Sequence, residues 1–138
     1  MAIRFSTDEI RAFARSCRSV DPKARAALRL GVGDAGRLVA EAAKKKAAFS
    51  SRIPSSIEVK VMGRGMAVVT AGGDAAPEAA PLENKGKRGQ FRHPVFGHAV
   101  WVNQTAQPFL YPALLENADA AAEIIQGAVD KAIAEVIL

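Results

Sequence analysis

Apolar residues recur along the chain with two different periods, and the changes of period divide it into elements. Ile10, Phe13 and Cys17 are spaced for one face of a short helix that opens at Thr7-Asp8-Glu9. Asp21-Pro22 restarts a helix, with Asp21 as N-cap and Pro22 in the first turn. Leu28, Val32, Ala35, Val39 and Ala42 then follow at steps of three and four, opposite Arg25, Arg29 and Lys44. That stripe predicts a long helix to about Ala48, stopped by Phe49-Ser50-Ser51 and Pro54. From Ile57 to Met62 the period drops to two, as in a half-buried strand, and Met66 to Ala71 supplies a second strand. Gly63-Arg64-Gly65 between them can take the positive φ values of a tight hairpin. Gly72 to Pro81 is small and proline-punctuated, and Leu82 to Gly89 is a helical turn running into a basic loop, so about 72–92 is expected to be flexible. Helical spacing returns with Leu114, Ala118, Ala121, Ile125, Ala128, Ala132 and Val136, which predicts a closing helix from near Pro112 almost to Leu138. Glu116, Asp119, Glu123 and Asp130 fall largely outside that stripe, whereas Ile124, Ile133 and Ile137 widen it.

Gly86 to Pro112 joins the sheet to this helix and holds the chain's only Trp and only Tyr. Pro94 and Pro108 each lack an N–H and push the preceding residue towards extended backbone, so the segment cannot be one helix. It predicts a strand over His98–Val102, with Val100 and Val102 on one side and Ala99 and Trp101 on the other. Phe96, Trp101 and Phe109 are expected as core anchors, with Pro108 and Pro112 fixing the angle between sheet and helix. The element order predicts an α+β fold in one domain over 1–138. A small antiparallel sheet, the hairpin plus a third strand, packs against two or three helices, with long N-terminal and C-terminal helices.

Length and charge narrow the reading. At 138 residues the chain suits one domain with a modest core. No apolar run approaches the ~20 residues that span a bilayer, and polar residues interrupt the N-terminus where a signal peptide needs an apolar stretch. A soluble protein with no membrane partner is expected. Cys17 is the only cysteine, which excludes an intrachain disulfide and a cysteine zinc site, and it is expected to pack. The net charge of +5 is polarised: Lys and Arg against Asp and Glu number 12 to 5 over 1–52, 6 to 4 over 53–102 and 1 to 5 over 103–138. A basic front and an acidic tail can attract each other, within one subunit or between neighbours.

The residues that carry chemistry do not converge. Gly31-Val32-Gly33-Asp34-Ala35-Gly36 has dinucleotide-motif spacing, with Glu58 where a ribose-binding acid would stand. That motif works only as a strand-to-helix turn, and here helical capping and spacing precede it, so the glycines are expected to admit a close backbone or a bend. His93 and His98 have no cysteine or nearby carboxylate to complete a metal site. No serine stands in a glycine-framed nucleophile turn, and Glu116 and Asp119 share a helical face without a second carboxylate pair. No catalytic residue, metal or cofactor is expected, and the protein is not expected to be an enzyme. One alternative function comes from Lys85, Lys87, Arg88 and Arg92, interleaved with Phe91 and His93 and followed by Phe96. Cations mixed with stacking rings are what single-strand nucleic-acid binders use.

His93-Pro94-Val95-Phe96-Gly97, then Trp101-Val102, then Pro108-Phe109-Leu110 and Pro112-Ala113-Leu114 resemble a segment of the tail-completion or neck proteins of long-tailed, siphovirus-type bacteriophages, small proteins also described as minor tail components. The C-terminal third is similar in motif, the remainder only in element order. The chain departs from the family in having Leu82-Glu83-Asn84-Lys85-Gly86 where an acidic and aromatic Glu-Phe-Gly-like turn is frequent. The resemblance implies a structural virion protein forming a ring of six subunits at the neck. Its partners would be copies of itself and the connector or stopper, tail terminator or tail tube proteins, with DNA passing through without sequence-specific contact. Lys85, Lys87, Arg88 and Arg92 on one side and Glu116, Asp119 and Glu123 on the other are the expected interface residues, the 85–92 loop becoming ordered against a neighbour.

Overall fold

Two long helices, α2 (Pro22–Lys46) and α5 (Leu110–Ile137), form the spine of the molecule in a computed structural model that describes residues 6–17, 22–63, 65–95 and 97–137. They run antiparallel. Ala24, Ala27 and Leu28 at the start of α2 cluster with Ala132 near the end of α5, while Val39, Ala40 and Ala43 cluster with Phe109 and Ala113 at the start of α5. Small residues set the approach: a Cβ on Gly31 would lie 2.1 Å from the Ala128 Cβ, so only glycine fits at this crossing. The stripe expected on α2 is the buried one at Leu28, Val32, Ala35 and Val39.

The hairpin of β1 (Glu58–Met62) and β2 (Met66–Thr70) lies on a neighbouring face of α2. A Cβ on Gly36 would stand 2.9 Å from Val59 Cγ1 and 3.0 Å from Ala67 Cβ, so this glycine lets the sheet come down on the helix. The three glycines therefore lie inside α2, where their amides belong to the helix ladder. The expectation of a close backbone describes Gly31, where a Cβ would stand 3.5 Å from the Ala128 Cα, whereas Gly33 and Gly36 face side chains, and no strand-to-helix turn is present there for a pyrophosphate.

Three short α-helices among the described residues complete the fold, and two of them, α3 (Ile53–Ser56) and α4 (Ala79–Glu83), close the core at one end. Helix α1 (Thr7–Cys17) is started by a reciprocal capping box, in which the Ser6 N–H donates to Glu9 Oε2 at 2.9 Å and the Glu9 N–H donates to Ser6 Oγ at 3.1 Å. Helix α3 carries buried Ile53, and α4 carries buried Ala79 and Leu82. Phe109 is fully buried among these and meets Phe49 edge-on with ring centroids 6.5 Å apart.

The α+β class is as expected, but the sheet differs in plan. The third strand does not join the hairpin. Strand β3 (Gln90–Pro94) pairs antiparallel with β4 (Trp101–Thr105) to make a separate two-stranded ribbon. The region expected as a flexible loop holds α4, a 3-10 turn at Asn84–Gly86 and β3. The strand expected over His98–Val102 begins later because its first residues are spent on the turn, where the Val95 N–H donates to the Val100 carbonyl at 2.8 Å and Gly97 takes φ 78°. Helix α5 begins at Leu110, two residues before Pro112, which sits inside the first turn where no intrahelical N–H is needed. Its buried positions include Ala113, Ala128 and Ala132, whereas Leu114 and Ala118, expected in the apolar stripe, are exposed. The Asp21 cap, Arg64 of the hairpin turn and the Phe96 anchor fall outside the described residues.

Candidate assembly interface

Glu83 and the 3-10 turn fasten the ribbon to the start of α5. The Glu83 carboxylate accepts three amide hydrogen bonds from the free first turn: Phe109 N–H at 2.7 Å, Leu110 N–H at 2.9 Å and Tyr111 N–H at 2.8 Å. A negative group at the positive end of a helix satisfies both the orphan donors and the dipole. The chain then reverses through Asn84, Lys85 and Gly86, all at positive φ (48°, 56° and 77°). Gly86 has a second reason to be glycine, since a Cβ there would come within 2.7 Å of the Tyr111 side chain. Lys85 of the expected interface therefore sits in the buckle itself, not in a free loop.

Beyond the buckle, Lys87 and Arg88 are exposed in the bend that leads into β3. The ribbon is tied back by the Ala106 N–H donating to Gly89 O at 2.7 Å and the Gln107 N–H donating to Leu82 O at 2.9 Å. Strand alternation and pairing give it two faces. Phe91 and His93 turn one way, rings 5.7 Å apart, with Phe91 packed against the core. Gln90, Arg92 and Pro94 face the other way beside Thr105, Asn103 and Trp101, and each of these six is exposed. Trp101 is thus not the core anchor expected from the sequence: it is 55 % exposed, and among the described residues no layer covers the ribbon's outer face. Its described ring contact is the Arg92 guanidinium, 5.7 Å from the ring centroid. Phe109 is the anchor, and Pro108, half-buried, precedes it into α5.

Helix α5 presents a second uncovered surface. With 3.6 residues per turn, Tyr111, Leu115, Ala118, Ala122 and Ile133 fall on one stripe, and Asp119, Glu123 and Asp130 on the stripe beside it. Tyr111, Leu115 and Ile133 are exposed, Leu115 by 61 %. The acids do not share one fate. Glu116 is paired within the chain to Lys46 Nζ at 2.8 Å, which closes the basic front onto the acidic tail inside one subunit. Asp119 and Glu123 stay exposed.

Between α1, α2, β2 and one side of α5 from Leu110 to Ile125 lies an open cavity of about 600 Å³. Its walls are largely aliphatic, from Val32, Val39, Val69, Leu110 and Ile125, with Thr7, Glu83, Lys85 and Tyr111 as polar contributors. The Glu83 carboxylate there is already committed to the α5 amides. His93 Nδ1 lies 3.0 Å from the Pro94 carbonyl, and His98 is exposed in the ribbon turn. Among the described residues no group of three or more His, Cys, Asp and Glu is placed to hold a metal ion, and no described helix is long and apolar enough to cross a membrane. Comparison of the chain with protein-family models, with curated proteins and with solved structures gave no match.

The cap by Glu83 and the exposed face of the ribbon are what sequence reasoning missed. The first joins residues about 27 apart, beyond any local spacing rule. The second depends on β4 being exposed along its whole length, although the acid-free stretch from Asn84 to Leu115 was visible in the sequence.

Proposed function

We propose that this protein is a structural subunit of a long-tailed phage or prophage particle, forming a ring at the head–tail junction that completes the tail and lets DNA pass. The observation that carries the reading is a small domain that leaves a Trp/Arg ribbon face and a Tyr/Leu helix stripe uncovered. Large apolar side chains exposed in contiguous stripes mark association surfaces, and Trp, Tyr and Arg are the residue types that dominate binding energy at interfaces. The motif resemblance over His93–Leu114 supplies the identity of the assembly, and the partners are further copies of the chain together with connector, terminator or tube proteins.

The test is genetic and structural. The gene is expected among those for connector, tail terminator and tail tube, and its deletion is expected to give full heads and finished tails that do not join, seen by electron microscopy of lysates. Infectious, normally joined particles lacking the protein would sink the proposal. A second reading, single-strand nucleic-acid binding, is favoured by one observation: Arg92 over an exposed Trp101, beside Lys87 and Arg88. It requires affinity for DNA that falls steeply with salt.

A further inference from the structure

The ribbon's outer face and the α5 stripe are complementary in kind. Arg92 and Trp101 stand side by side on the ribbon, and residues 84–115 hold four Lys or Arg and no Asp or Glu. On α5 the order is the same with the charge reversed: an apolar stripe at Tyr111, Leu115 and Ala122, then an acidic edge at Asp119 and Glu123. Glu116 is held by Lys46, and Asp119 and Glu123 are exposed acids with no ion pair among the described residues. A two-stranded ribbon alone is marginal in water and gains from a surface to lie on.

We propose that the ribbon of one copy seats on α5 of a second copy, Trp101 on the Tyr111–Leu115–Ala122 stripe and Arg92 against Asp119 and Glu123. The proposal rests on the self-assembly part of the functional reading and names the two surfaces that mate. Because the surfaces are different patches of the same chain, the contact is heterologous. Each copy keeps one donor and one acceptor, and the arrangement propagates head to tail until it closes as a ring. Opposite charges set the register, while the buried tryptophan supplies most of the affinity.

The chain's single tryptophan makes the contact directly readable. A donor-broken variant carries Trp101→Ala with Arg92→Glu, and an acceptor-broken variant carries Leu115→Glu with Asp119→Lys. Each alone is expected to stay a monomer of 14.6 kDa by light scattering, self-association weakened by about a hundredfold or more, as for a lost hot spot. Mixed in equal amounts they are expected to form a 1:1 dimer and nothing larger, since one intact ribbon meets one intact helix. Trp101 fluorescence then shifts to the blue, and only the acceptor-broken partner can supply that signal. Should the double donor variant fail to fold by circular dichroism, Arg92→Glu alone, at an exposed position, takes its place, and the dimer is then read by mass alone because this variant keeps Trp101.

A wild type that remains monomeric up to its solubility limit overturns the proposal, as does a mixture that stays monomeric or a variant that associates like wild type. Quenching of Trp101 by a single-stranded oligonucleotide, with no dimer in the mixture, overturns it in favour of nucleic acid. The two readings fail separately. Assembly through these faces by a protein absent from particles would sink the neck function alone, and a particle protein indifferent to both variants would sink this contact alone.

Discussion

The helical spine and the ribbon use the same residue types for opposite ends. Phe109 is fully buried where α2, α3 and α4 meet the start of α5, and Trp101, eight positions earlier, is more than half exposed on a strand with no covering layer. Burial of a large side chain is worth about 1.5–3 kcal/mol when it is complete, so the two aromatics cannot contribute equally to folding. The difference teaches that aromatic content alone does not locate a core. The layer opposite the ring decides whether it stabilises the fold or stays exposed.

The sharpest break in this comparison comes from truncating each ring. Phe109→Ala is expected to cost about 3–5 kcal/mol, from lost burial and the cavity left behind, seen as a large fall in melting temperature. Trp101→Ala, compared with wild type at dilutions where both are monomeric, is expected to cost under about 1 kcal/mol, the worth of an exposed cation–π contact. Equal losses would erase the distinction between the two regions.

The crossing of the spine gives the next largest effect. Gly31→Ala would gain about 1 kcal/mol of helix propensity at an open site. Here its Cβ would meet the Ala128 Cβ at 2.1 Å, and the two helices must separate. A net loss of about 1–3 kcal/mol is expected from overpacking, largely recovered by adding Ala128→Gly. Denaturant melts of the two single variants and the double variant measure the coupling. A stabilising Gly31→Ala would show that the helices do not approach as described.

Glu83→Ala removes the acceptor of three amide hydrogen bonds and is expected to cost about 1–2 kcal/mol. Hydrogen exchange should locate the loss at the start of α5, with faster exchange at Phe109 to Tyr111 and little change at Ala128. Uniform acceleration along α5 would contradict the capping role. Lys46→Ala is smaller still, under about 1 kcal/mol, because the Lys46–Glu116 pair is partly exposed and screened.

The smallest effect is a pH dependence at α1. Its two hydrogen bonds from Ser6, backbone N–H first and hydroxyl second, hold the Glu9 carboxyl below its ordinary 4.5. A lowered folded-state pKa means that this stabilisation is present above the unfolded value and is lost as pH falls through the folded one. Fraying of α1, followed by exchange at its first turn, is therefore expected to begin only below the ordinary Glu range. Fraying already complete above that range would show that the capping box does not form.

Much of the spine was legible in the sequence because helix and hairpin signals are local. The Leu28–Val39 stripe, the Ile57–Met62 alternation with a glycine turn and a second strand-like run behind it, and the proline near the start of α5 each predict their element from neighbours within a few positions. What escaped was non-local. Strand β3 lies in a polar, basic stretch whose alternation Gln90-Phe91-Arg92-His93 has one large apolar member, so it resembles a loop until β4 pairs with it. The candidate interface was half visible: Arg92, Asp119 and Glu123 stood out by charge and are exposed. Glu116 stood out equally and is taken by Lys46, a pairing set by how α2 and α5 lie together.

Whether the ribbon face joins copies of the chain is decided by the mass of the Trp101→Ala, Arg92→Glu variant beside wild type, by light scattering at matched concentration, together with its melting temperature. An assembly is expected for wild type and a 14.6 kDa monomer for the variant, with nearly the same melting temperature once wild type is diluted until it too is monomeric, because association itself stabilises the folded state. A variant that assembles like wild type, or one that unfolds because the ribbon face belongs to the monomer's core, would contradict it.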